Sequence, residues 1–151
     1  MSVSATIRPM AVHADRRRTS VLSWALVGFT VLVLVAALIL AGLNGSHLAA
    51  GRTGTYGLLG LSVGLYAGTG RIIVSRLPGN AIGWLLGLVG LSLTVTMVTE
   101  QYALYGLATA PGSVPAARLA GWLSGTVALL TVELLFFLVL LFPDGRLPSR
   151  R

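Results

Sequence analysis

The chain has 151 residues, 55% of them hydrophobic and only 10% charged, with a mean hydropathy of +0.86. Soluble domains carry about 25% charged residues, so this composition belongs to the membrane class. Cysteine is absent, which excludes a disulfide framework and thiolate chemistry, and the formal charge of +7 rests on arginine alone, because there is no lysine.

That basic balance does not imply nucleic acid as a partner. The arginines flank apolar runs, where topology and lipid headgroups account for them. A nucleic-acid module would need a soluble scaffold to present a basic face, and the chain holds no such segment. The arginine-only usage, with 19 glycines, matches the coding bias of a GC-rich bacterium.

Residues 1–20 are polar, carry Arg8, Arg16, Arg17 and Arg18, and show no apolar face, so they are expected to form a disordered basic tail. From 21 to 43 the run "VLSWALVGFTVLVLVAALILAGL" holds no charge. At about 1.5 Å per residue it exceeds the roughly 30 Å hydrocarbon core, and it is too long for the core of a cleaved signal peptide. It is the first predicted span, with Trp24 near its interface. A short loop, 44–54, leads to a second, glycine-rich span at about 55–74.

"SRLPGN" (75–80) reads as a turn, with Asn80 placed to cap the next helix. The third span starts at 81 and runs to about 102, where Glu100, Gln101, Tyr102 and Tyr105 could carry it into the outer interface. After a loop with two prolines (108–118), the fourth span covers about 119–142 and contains Glu133. Pro143, Asp144 and Gly145 stop it with a Pro-Asp-Gly turn, and Arg146 opens a basic segment, 143–151, on the cytoplasmic side.

The expected fold is therefore all-α: an integral membrane four-helix bundle. Four spans put both termini on one side. That side gathers Arg8, Arg16, Arg17, Arg18, Arg71, Arg76, Arg146, Arg150 and Arg151, against Arg52 and Arg118 on the other. The positive-inside rule then places both termini in the cytoplasm of a bacterial plasma membrane. "RLPG" at 76–79 and "RLPS" at 146–149 hint at a two-hairpin repeat, on a short identity.

Gly60, Gly64 and Gly68 are spaced by four and share one face of the second span, and Gly83 and Gly87 offer a matching face on the third. The expected use is packing of the second span on the third, with a dimer interface as the alternative. Glu133 lies deep in the fourth span. It should face the bundle and find a partner, or be neutralised by a proton, and Arg71 is the nearest cation by depth. Its readings are a sensing or proton-linked site and a structural hydrogen-bonding carboxyl. Glu100 with its tyrosines is an ordinary interfacial belt or a ligand-facing patch. His13 and His47 lack metal-ligand neighbours.

No phosphate loop, nucleophile elbow or His/Asp/Glu cluster is present in the sequence, so no catalytic activity, cofactor or metal is expected.

Three motifs in order carry a resemblance: "PGNAIGWLLGLVG" (78–90), "EQYALYGLATAPGSVPAARLAGWL" (100–123) and "LLFPDGRLPSRR" (140–151). Together they resemble the N-terminal membrane region of actinobacterial sensor histidine kinases. Asn80, Ile82, Gly83, Trp84, Tyr102, Gly106, Pro111, Pro115, Pro143, Asp144, Gly145 and Arg146 fall on the family pattern, which covers about 54–151. The resemblance implies further spans after the Pro-Asp-Gly-Arg turn, then a phosphoacceptor histidine and an ATP-binding domain. None of these is found in this chain, and the ending reads as an internal turn of a longer protein. The expected role is a non-catalytic sensor-like membrane module in the lipid bilayer. It would act by helix association with a second copy or with a full-length sensor kinase. The alternative is a small oligomeric transport or channel subunit using Glu133.

Overall fold

The computed structural model describes residues 8–45 and 50–142, with side chains from 17–45 and 56–142. Among the described residues the protein is all helical: α1 (Arg8–Leu43), α2 (Ala50–Arg76), α3 (Ala81–Leu104), a π-helical segment (Tyr105–Thr109) and α4 (Ala117–Leu141). Four helices are long and apolar enough to cross a membrane, which makes this a multi-pass membrane protein by length and composition.

Two boundaries differ from the sequence reading. Helix α1 already begins at Arg8, so residues 8–20 are helical instead of an irregular tail. Pro9 sits in the first turn, where a missing N–H costs nothing, and the Ala- and Arg-rich stretch after it propagates the long apolar helix. The third span also runs further, because its helix passes through Leu104 into the π segment before the loop. Ala110 N–H donates to Tyr105 O at 2.8 Å, closing the wide turn.

Helix α3 is the hub. Half of its span is buried, against 6% for α4, 11% for α1 and 22% for α2. Helices α1, α2 and α4 each pack on α3, and α1 also touches α2, whereas α4 packs only on α3 and the π segment to any extent. The bundle is thus not a closed ring of four, and most of α4 is left facing outward. Small residues explain the centrality of α3: Gly83, Gly87, Gly90, Ser92 and Thr94 are all buried on it. Without a hydrophobic force between helices in lipid, such close approach is what supplies packing energy.

Among the described side chains of α1 and the residue after it, the buried ones are Ser23, Thr30, Ala37 and Asn44. Their spacing of seven keeps one narrow seam turned toward α3 along the whole span. Ala37 meets Tyr56 and Met97 in the core, with Leu34, Leu59 and Val98 around them. Between α3 and α4, Thr131 Oγ1 lies 3.0 Å from Ser92 Oγ, and Ser124 Oγ donates to Thr96 O at 3.2 Å. Each hydroxyl also reaches a carbonyl of its own helix, Ser92 that of Val89 and Thr131 that of Val127. Large apolar side chains such as Leu61, Leu129, Phe136 and Val139 point outward. That surface suits hydrocarbon.

At the α2–α3 turn, Asn80 takes an extended backbone and its Oδ1 accepts from Ile82 N–H at 2.8 Å, satisfying one of the free donors at the start of α3. The segment with Pro143, Asp144, Gly145 and Arg146 lies outside the described residues, as does the 146–149 echo of the α2–α3 turn.

Candidate functional site

The contact of α2 with α3 runs through different glycines from those expected. A Cβ at Gly70 would lie 2.7 Å from Gly83 O and 2.8 Å from Gly87 N. One at Gly83 would meet Val74, one at Gly87 would meet Leu26 of α1, and one at Gly90 would meet Ala67. Gly83 and Gly87 are therefore packing positions, but their partners are Gly70, Val74 and Leu26. Gly60, Gly64 and Gly68 do not face them: nothing lies within 4 Å of a Cβ built on any of the three, nor on Gly57. The expected packing of this row on the third span is overturned. The reason is register. Buried Val63, Ala67, Gly70 and Val74 form the face that meets α3, and Gly64 lies roughly 100° around the helix from Val63. The row is left as an open shallow strip on the membrane-facing surface of α2.

Glu133 also departs from expectation. Ser124 and Thr131, seven apart, mark the face of α4 on α3, and Glu133 is two residues past Thr131, about 200° around. It is exposed, between exposed Val132, Phe136 and Phe137. The carboxylate therefore faces away from α3 and has no ion-pair partner among the described residues. The α3–α4 seam includes hydroxyl contacts of Ser124 with Thr96 O and of Thr131 with Ser92.

Arg71 is accordingly not its partner. The Arg71 guanidinium carbon lies 4.5 Å from the ring centroid of Trp24 on α1, a cation–π contact. Its Nε is buried with no acceptor. Arg76 ends α2 and is exposed, as are Arg17 and Arg18 one helix away, and Arg16 belongs to the helical part of α1. These residues share one end of the molecule.

The other end holds a polar network that the sequence reading did not foresee. Asn44 and Gln101 are both fully buried. Asn44 Nδ2 donates to the Gln101 carbonyl oxygen at 2.9 Å and to Gln101 Oε1 at 3.0 Å, and Asn44 Oδ1 accepts from Thr109 Oγ1. The backbone carbonyl can only accept, so it fixes the orientation of the Asn44 amide, and Asn44 in turn fixes that of Gln101. Gln101 Nε2 is then left buried without an acceptor. The π segment places Thr109 here, since the wider turn rotates it back toward α1. Nearby, Tyr56 Oη donates to Glu100 Oε1 at 3.4 Å, and Tyr102 Oη donates to Pro115 O at 3.0 Å, tacking the loop to α3. Gly106 allows that loop to fold over the helix, because a Cβ there would overlap Val114 and Ala117.

The arrangement supplies packing faces, one outward carboxylate and one unsatisfied buried amide. Among the described residues no three His, Asp or Glu side chains come together. No family model, curated protein or solved structure matches the chain.

Proposed function

We propose that this chain is a non-catalytic membrane module that works by lateral helix association, with the glycine row of α2 as its docking strip and a second copy of the chain as its first partner. The observation that carries this reading is the empty row itself. Gly57, Gly60, Gly64 and Gly68 have no neighbour within 4 Å of a built Cβ, although the helix in which they sit is otherwise packed on α3. Glycines in a membrane helix cost backbone order unless another backbone approaches them, and small-xxx-small faces are a recurrent solution for that approach.

The orientation that accompanies this reading puts both termini and the arginine-rich end in the cytoplasm of a bacterial plasma membrane, following the positive-inside bias. The resemblance to sensor kinase membrane regions would extend it to a full-length sensor kinase as partner. A membrane two-hybrid assay tests it. Gly64→Ile should abolish self-association while the chain still inserts, and an unchanged signal would remove the docking strip from consideration.

A further inference from the structure

We propose that the arginine-rich end of the α1–α2 seam binds the headgroup phosphate of an anionic phospholipid. A crevice of about 400 Å³ opens there, lined by Thr19, Ser20, Val74, Ser75, Arg76 and Pro78. It lies one turn from the Arg71–Trp24 contact on the same seam. Ser20 and Trp24 are four apart on α1, and Arg71 and Ser75 are four apart on α2, so each pair shares a helix face.

Among the described side chains, the charges at that end are all basic. Arg76 borders the crevice and is exposed, Arg17 and Arg18 stand exposed on the adjoining turn of α1, and Arg71, outside the crevice lining, sits about one turn deeper along α2. The carboxylates whose side chains are described, Glu100 and Glu133, lie elsewhere: one beside Tyr56 at the opposite end, the other on the outer face of α4. Arg71 gives the sharper sign. Trp24 holds its guanidinium, yet Nε is buried and unpartnered. A guanidinium offers five donors in a planar fork suited to phosphate oxygens. On the wall the Ser20 hydroxyl can add a further donor, whereas the Ser75 hydroxyl already donates to Ile72 O at 2.7 Å. A headgroup phosphate at the hydrocarbon boundary would neutralise this cluster while its acyl chains lie against the exposed Leu22 and Val21 of α1. Basic pockets at helix ends recognise anionic lipids in this way, with about 1 kcal/mol from each basic residue near the surface.

The test is native mass spectrometry of the purified full chain in neutral detergent. It is titrated with phosphatidylglycerol, with phosphatidylcholine and with glycerol 3-phosphate. Phosphatidylglycerol should be retained over the other two. Arg71→Gln and Arg76→Gln should each weaken it about fivefold, and Arg118→Gln at the opposite end should not. Arg76 is exposed, so its variant reports on the site even if the Arg71 variant misfolds. Equal retention of phosphatidylcholine would overturn the proposal, as would wild-type affinity in the Arg76 variant. Equal binding of glycerol 3-phosphate would replace the lipid with a soluble phosphate ligand and so would also overturn it.

Discussion

Gly70 and Gly83 stand backbone to backbone: a Cβ on the first would lie 2.7 Å from the carbonyl oxygen of the second. This contact sets α2 on α3, and it divides the glycines of α2 into two groups with different work. Gly70→Val should therefore disrupt the monomer, with a loss of about 1–3 kcal/mol or more, since neither neighbouring backbone can retreat cheaply. Gly64→Ala should leave monomer stability within about 0.5 kcal/mol. Unfolding of the two variants in detergent checks the contrast, and equal losses would mean that the two groups are not distinct.

The Asn44–Gln101 pair predicts energetic coupling between the end of α1 and α3. Truncating either residue leaves a buried amide short of partners, so each alone should cost about 1–3 kcal/mol. In a double-mutant cycle with Asn44→Ala and Gln101→Ala the coupling should approach about 1 kcal/mol, within the range known for polar pairs in membranes. Strict additivity of the two substitutions would show that the network contributes no pairwise stability.

Among the described residues no hydrogen bond or ion pair holds Glu133. Glu133→Leu should leave unfolding of the isolated chain unchanged within about 0.5 kcal/mol. A large loss in the monomer would reveal an intramolecular partner and remove the outward carboxylate from the account.

The Arg71–Trp24 contact should contribute about 0.5–2 kcal/mol, depending on how dry the seam is. Trp24→Leu removes it while keeping apolar bulk, and Trp24→Phe should recover part of the loss. Equal stability of wild type and Trp24→Leu would show the ring to be a bystander.

Much of the fold was legible because hydropathy alone marks uncharged runs of span length. The faces were not. On α2, small residues occupy well over half the circumference, so Gly60-Gly64-Gly68 and Ala67-Gly70-Val74 look equally suited to α3 until the shape of α3 selects one. Asn44 was assigned to a loop because it follows an apolar run. The seven-residue spacing Ser23, Thr30, Ala37, Asn44 was a signal that would have placed it on the buried seam. The inward rule for intramembrane acids failed at Glu133 because α4 packs through one narrow face and leaves the rest outward. The placement of Thr109 beside Asn44 depended on a π turn that no local pattern announces.

The most direct measurement is disulfide cross-linking between copies in native membranes, which the absence of native cysteine makes simple. Leu61 is exposed, within one turn of both Gly57 and Gly64, whereas Thr69 is exposed on the opposite flank of α2, near Tyr66. If the glycine row is the docking strip, Leu61→Cys should form a covalent dimer rapidly and Thr69→Cys should not, and adding Gly64→Ile to the first should abolish its cross-link. Equal cross-linking of the two positions, or a faster reaction at Thr69→Cys, would contradict association through this face.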